Sequence, residues 1–415
     1  MKIGIFSWES LYSVKVGGVA PHVSELAEAL SRMGHKVHVF TLRGDFGSHD
    51  QINGVDYHRV DSDRSGDIVA QMDSMCDAIY SRFKDVQEIS GAFDVLHGHD
   101  WHPVPVLNRL KYEYGLAYIL TLHSTEWGRN GNKWDFGLSQ EISHREWLGG
   151  YESSRIIVTT KAMEEELAST YSIPESKVRI IPNGIVAGKI RKILDPGRVK
   201  ERYGMAPLDP MILFCGRISY QKGPDLLVEA LPLVLKERPD ARFVFIGEGD
   251  QRPRCEHRIW ELGLQSACRF TGYVSFAEKQ DLINASDLVC VPSRNEPFGM
   301  IVLEAWDACK PVVATEAVSI IRNFQDGILA YIQPESIAWC INRLLKDPEE
   351  MKRLALAGHR RIESEFGWDR IAERTEKLYE EVCEQRRVYE TQSSACSEHG
   401  LQGSKGHLSF GYNMI

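Results

Sequence analysis

The sequence has no clustered cysteines, no long apolar run and no excess of basic residues, and each absence excludes a class of protein. Its nine cysteines (Cys76, Cys215, Cys255, Cys268, Cys290, Cys309, Cys340, Cys383 and Cys396) are scattered and odd in number. They form no CxxC pair and no zinc spacing, which excludes a disulfide framework and a zinc module and fits core thiols in a reducing compartment. No uninterrupted apolar stretch reaches the ~18 to 20 residues that span a bilayer. That excludes a transmembrane segment and leaves peripheral membrane contact open. The first residues read as a strand rather than a basic and apolar secretion signal, so a cytoplasmic location is expected. The formal net charge of −9 argues against a nucleic-acid partner, whose binding domain normally carries a basic stripe.

What is present is an ordinary globular composition, 43% hydrophobic and 26% charged over 415 residues. That length exceeds what one hydrophobic core usually supports, so two domains are expected. Met1 to Ser7 forms a short apolar run, followed by Gly17 and Gly18 and then a helical pattern in Val23, Leu26, Ala27 and Leu30 that Gly34 stops. Lys36 to Leu42 completes a strand, glycine turn, helix, strand unit. Apolar runs at 94–97, 118–122, 155–159 and 178–181 continue a mostly parallel sheet. Gly184, Gly188, Pro196, Gly197, Gly204, Pro207 and Pro210 punctuate the middle of the chain. The pattern then restarts with runs at 211–215, 242–246, 287–291 and 311–315. Two Rossmann-like α/β domains facing a central cleft follow, residues 1–185 and residues 186–365. A helix over 366–385 is expected to pack back on the first domain. The polar stretch 386–415 reads as a tail without fixed structure.

The residues with chemical potential fall at strand ends. Arg217 and Lys222 lie in a Gly-Arg-x4-Lys-Gly turn between a strand and a helix. A guanidinium fork and an ammonium together suit a pyrophosphate that leaves with developing negative charge. Glu296 and Glu304 flank a Pro-Phe-Gly turn that should open a helix, leaving the backbone N–H groups of Phe298, Gly299 and Met300 aimed at the cleft. Alone, such glutamates usually belong to a solvated helix face.

Gly17 and Gly18 allow close backbone approach to phosphate, but they do not form the three-glycine dinucleotide fingerprint, and Arg43 stands where that fingerprint needs an acid. A dehydrogenase is thereby disfavoured. The segment His97 to His102 departs from the di-zinc order because Trp101 separates Asp100 from His102. It reads better as a polar strand end where Asp100 and His102 orient sugar or acceptor hydroxyls. His123 ends the next strand, at the carboxyl edge of the sheet. The Asp61-Ser62-Asp63 element reads as a hydrophilic loop, with no second carboxylate set to complete a magnesium or manganese site. No metal and no resident cofactor are expected.

Together these residues resemble the retaining nucleotide-sugar glycosyltransferases of the GT-B fold, specifically glycosyltransferase family 4 and its glycogen and starch synthase relatives. The likeness runs from Met1 to about Val382. It implies that Gly17 and Gly18 approach the donor phosphates and that His123 contacts the transferred sugar. Arg217 and Lys222 would neutralise the pyrophosphate, Glu296 would lie at the sugar and Glu304 at the ribose. Asn183-Gly184 matches the interdomain crossover. The implied partners are a nucleoside diphosphate sugar, UDP- or ADP-glucose-like, and a glycan or small hydroxyl acceptor, with glycogen synthesis among the implied activities. Two positions depart from the family: Val318-Ser319 and Arg322 replace a Gly-Gly pair and a glutamate, and Cys309 replaces a glycine. Two rival readings are enzymes of the same fold: a phosphorylase, which would need a cofactor-bearing lysine for which no distinctive candidate stands out, and a nucleotide-sugar epimerase. A rival of another class, motivated by the departure at Val318, is a catalytically idle sugar-binding or scaffold subunit.

Overall fold

A computed structural model describes the backbone of residues 1–400 and the side chains of residues 1–388. The first half of the chain builds an eight-stranded sheet from β1 (Lys2–Phe6), β2 (Lys36–Leu42), β3 (His49–Ile52), β4 (Val55–Val60), β5 (Val95–His99), β6 (Tyr118–Leu122), β7 (Arg155–Val158) and β8 (Val178–Ile180). The second half builds a six-stranded sheet from β9 (Met211–Cys215), β10 (Arg242–Ile246), β11 (Cys268–Gly272), β12 (Leu288–Val291), β13 (Val312–Thr315) and β14 (Ile328–Ala330). Central strands such as β1 and β6 are buried along their whole length. Helices cover both faces, which is why these runs are continuously apolar rather than alternating. The edge hairpin β3–β4, the sole antiparallel pair named among the described strands, is missing from the sequence expectation. Its Asn53-Gly54 turn, both residues at positive φ, is the local signal that marks it.

Strand order places the loops that matter. The first sheet runs β3-β4-β2-β1-β5-β6-β7-β8 and the second β11-β10-β9-β12-β13-β14. Order reverses beside β1 in one sheet and beside β9 in the other. At such a switch the connections after neighbouring strands leave toward opposite faces and open a crevice at the carboxyl ends. Gly17-Gly18 and Asp100 follow β1 and β5. Arg217 and Glu296 follow β9 and β12.

The chain passes between the sheets twice, at Asn183–Ile185 and at Phe366–Trp368, and the two passages touch. Ile185 N–H donates to Phe366 O at 2.9 Å, and a Cβ added to Gly184 would lie 2.6 Å from a Trp368 ring carbon. Only glycine fits under that indole, whose own N–H donates to the Glu25 carboxylate at 2.6 Å. The helix Trp368–Gly400 then lies against the first sheet's layer. Its Ile371, Ala372, Leu378, Tyr379 and Val382 share a core with Val23, Leu26 and Ile119. Arg32–Asp369 and Arg155–Glu381 ion pairs fix its outer edge. This helix does not stop near Gln385, as the polar composition suggested, but continues to Gly400. No glycine or proline interrupts it between Gly367 and Gly400, and its Glu, Gln and Arg residues are good helix formers. The remainder of the expected tail, 401–415, lies outside the described residues. No helix among the described residues is long and apolar enough to cross a membrane.

Candidate functional site

A cavity of about 180 Å³ lies where the two carboxyl edges meet, with Thr125, Gly128 and Thr160 on one side and Asn295, Glu296 and Pro297 on the other. Side chains bridge it. The hydroxyls of Thr159 and Thr160 donate to Pro297 O at 3.1 and 3.0 Å, and Asn295 Nδ2 donates to Asn132 Oδ1 at 2.9 Å. A Cβ on Gly18 would lie 3.8 Å from Met300 Cγ. The glycine turn of the first domain therefore faces the N-terminus of the helix Met300–Asp307 in the second.

The wall from the second domain carries charge. Lys222 ends a short 3-10 turn, and Gly223 follows at φ +63, where a Cβ would strike Pro292 O at 2.0 Å. That close approach ties the Lys-Gly turn to the strand-end loop after β12. Lys222 Nζ binds both Glu296 oxygens, at 2.9 and 2.8 Å, and Ser293 Oγ donates to the same carboxylate at 2.9 Å. Lys222 and Glu296 thus form one unit rather than two separate groups. Arg217 is exposed in the turn after β9 and makes no ion pair among the described residues. Glu304 is held by Lys279 at 2.6 Å; burial opposes the charge on Lys279, but the Glu304 carboxylate outweighs it and raises the lysine pKa. Gly299 caps the helix Met300–Asp307 without a side-chain bond, so its first N–H groups stay available to an anion. The Phe298 ring does not enter the cleft; it is buried against Phe366.

The wall from the first domain brings one carboxylate to the cavity, Glu166, which accepts the Thr125 hydroxyl and whose pKa burial raises; the other polar groups near it are uncharged histidines and carboxylates bound to backbone. Glu9, absent from the sequence candidates, is buried just after β1, and its Oε2 accepts the N–H groups of Val16 and Gly17 at 2.7 and 2.9 Å. Burial raises its pKa against the pull of those two amides. Glu9 therefore sets the shape of the glycine turn. His123 follows β6, and its N–H donates to Asp100 Oδ1 at 2.8 Å. Its Nε2 meets His99 Nδ1 at 3.1 Å, and His22 packs edge-on against its ring at 4.5 Å. Burial pushes the His123 imidazole down to about 3 and holds His22 and His99 well below the ordinary histidine value. These rings are neutral bases. Asp100 sits at φ +57, and its burial raises the carboxyl to about 6 despite the His123 N–H. It acts on the His123 backbone. His102 stands apart, its ring stacked between Trp8 and Trp101 at 5.0 and 4.4 Å.

One ring nitrogen from each of His22, His99 and His123 lies within 4.8 Å of the other two, a composition able to hold a metal ion. The close His99–His123 contact is satisfied by a ring-to-ring hydrogen bond if one nitrogen is protonated. The Asp61–Asp63 loop is spent on itself: Asp61 pairs with Arg43 at 3.0 Å, and Asp63 accepts the N–H and hydroxyl of Ser65. Val318, which replaces a glycine of the family, is fully buried and would lie 3.4 Å from a Cβ on Gly299. It packs beneath the turn that opens the helix. Arg322 leaves the site to pair with Glu365 at 3.0 Å.

Sequence comparison agrees with this architecture. Residues 16–188 match the model of Glycosyltransferase Family 4, and residues 198–361 match that of glycosyl transferases group 1. The chain is 34% identical over 388 residues to an uncharacterised glycosyltransferase of Methanocaldococcus jannaschii, covering 91% of this chain and 98% of that one. It is 28% identical to a glycogen synthase of Mycobacterium tuberculosis, covering 91% and 94%. Among solved structures, a sucrose-phosphate synthase from Thermosynechococcus elongatus superposes with a TM-score of 0.77 at 21% identity, over 92% of this chain and 98% of that one. An Anabaena protein solved with UDP-glucose superposes at 0.73 and 19% identity, over 91% and 99%. The chain belongs to the GT-B glycosyltransferases of the family 4 type. It is a glycosyltransferase by kind.

Proposed function

We propose that this protein transfers a glucose-like hexosyl group from a nucleoside diphosphate sugar, UDP- or ADP-linked, to a hydroxyl of a glycan or other acceptor, with retention and without a metal. The observation that carries this reading is the pairing across one cleft of a wall bearing Arg217, unpaired among the described residues, and two lysine–glutamate pairs with a wall of uncharged histidines, both at topological switch points. Arg217, Lys222 and the open N–H groups before Met300 match a departing diphosphate, whose charge grows as the bond to the sugar breaks. Glu304 with Lys279 lies farther along the same domain, suited to the ribose. Neutral His123 and the Lys222-bound Glu296 suit the sugar, where a charged imidazole would disfavour an oxocarbenium-like centre. The sugar C1–O bond to the phosphate breaks and a C1–O bond to the acceptor forms on the same face. The acceptor proton passes to a donor phosphate oxygen, so no enzyme nucleophile is required.

Epimerisation of the nucleotide sugar is less well supported. It needs free carboxylates beside the histidine, whereas Glu9 and Asp100 are both taken by backbone N–H groups. The test is a thermal-shift screen of nucleoside diphosphate sugars, followed by NMR assignment of the product anomer with the stabilising donor. A raised melting temperature and a retained anomer are expected. An inverted anomer, or interconversion of the free donor without transfer, overturns the proposal.

A further inference from the structure

Beyond the cleft, the first domain carries a second concavity of about 480 Å³, bordered by Trp134, Phe136, Gln140, His144, Trp147 and Thr170. Its aromatic side chains are unusually open: Trp134 is 51% exposed, Phe136 87% and Trp147 40%. Along the helix Leu138–Glu152, the rings of His144, Trp147 and Tyr151 stack in series at 5.7 and 5.5 Å. A soluble protein seldom leaves such a row uncovered without a binding role.

The row is joined to the cleft. Trp134 packs edge-on against Trp127 at 5.0 Å and Tyr171 at 5.4 Å. Trp127 lies between Thr125 and Gly128, which line the interdomain cavity. A chain of sugars leaving the cleft past Trp127 would meet this surface next.

We infer that this aromatic surface binds a neutral oligosaccharide, an inference that rests on the transferase reading for its link to the cleft and names the acceptor class. A pyranose ring offers an apolar C–H face and a rim of hydroxyls. The surface offers flat rings beside Gln140 and His144, whose side chains form no hydrogen bond to protein among the described residues. Its charge gives competing polyanions no foothold. Of the ionic side chains in residues 133–152, Glu146 is buried against Arg129 and Glu152 is paired with Lys111, which leaves Asp135 and Glu141 against Lys133 and Arg145. Arg145 is already paired with Asp73 and Glu141. This balanced face lacks the basic cluster that an anionic lipid surface or a polyanionic chain requires.

The full chain should be applied to an array of neutral and acidic oligosaccharides and to phosphatidylserine vesicles, alongside Phe136→Ser and Trp147→Ser. Both positions are exposed, so melting temperatures should stay near that of the parent. Donor binding is read separately, by thermal shift with UDP-glucose and ADP-glucose. The expected result is binding to neutral oligosaccharides that each substitution weakens about tenfold, the size of one lost aromatic contact, with donor binding unchanged. Three outcomes overturn the inference: no neutral glycan bound, glycan binding untouched by either substitution, or self-association or vesicle binding as the property the substitutions remove. Intact donor binding in those cases leaves the transferase reading standing. Glycan binding without any donor binding would instead remove that reading and keep the surface.

Discussion

The two walls of the cleft are built from the same strand-turn-helix unit and reach opposite electrostatic solutions. After β9 and β12 the second domain presents Arg217 and the Lys222–Glu296 and Lys279–Glu304 pairs. After β1, β5 and β6 the first domain presents buried imidazoles that stay uncharged, and its carboxylates Glu9 and Asp100 are turned inward to hold backbone. Fold alone does not decide what a switch-point crevice binds. In the function proposed, the difference would place the anionic part of a donor at one wall and its uncharged sugar at the other.

Removing cations from the charged wall is expected to have the largest effect. Arg217→Ala and Lys222→Ala should each lower kcat/KM by about 2 to 4 kcal/mol of transition-state stabilisation while still folding. Lys222→Ala also leaves Glu296 without its counter-ion, so it should be the more damaging of the two. Full activity with unchanged donor KM in either variant would end the pyrophosphate assignment.

A smaller effect should divide the charged wall internally. Glu296→Gln should act mainly on kcat, because in the proposed function it disturbs the group at the reacting sugar, whereas Glu304→Gln should mainly raise donor KM. Steady-state kinetics giving the reverse pattern would exchange their roles.

The neutral wall has its own signature in pH. Between pH 6.5 and about 3 the unfolded chain binds protons that half-buried His123 and His102 refuse. Stability from these groups is therefore present above pH 6.5 and lost as pH falls. Asp100 works the other way: burial raises it to about 6, so its contribution to stability declines as pH rises from about 4 to 6. The histidines are more numerous, so hydrogen exchange at pH 4.5 should show β5 and β6 losing protection before β9 and β12. Equal loss in both sheets would contradict the contrast.

The smallest effect concerns a residue outside both walls. Cys309 occupies the left-handed region at φ +55, where the family usually has glycine. Cys309→Gly should raise stability by about 1 kcal/mol or less, since relief of backbone strain is partly offset by the freedom glycine gains in the unfolded chain. A lower melting temperature would show that the Cys309 side chain contributes more than its strain costs.

These features were not equally legible in the sequence. Apolar runs ended by glycine turns announced the parallel strands, because strands buried on both faces carry no competing pattern. The Gly-Arg-x4-Lys-Gly and Glu-x7-Glu elements were readable because each lies within one strand-end segment. The histidine cluster was not: His22, His99 and His123 come from three elements and meet only when β1, β5 and β6 align. Glu9 carried no local sign, since a lone glutamate after a strand ordinarily faces water. Asp100 and His102 were read as partners from adjacency, yet the left-handed turn at Asp100 sends one to the His123 backbone and the other between two tryptophans.

The contrast between the walls is tested most directly by titrating the bare nucleoside diphosphates, UDP and ADP, into the parent, Arg217→Ala and His123→Ala proteins by calorimetry in excess EDTA. At least one of the two should bind the parent without metal, lose about tenfold or more in affinity on removal of Arg217, and be unaffected by removal of His123. Loss of binding in EDTA restored by zinc, manganese or magnesium, or a dependence on His123 as strong as that on Arg217, would contradict the account and move the anion site toward the histidine cluster.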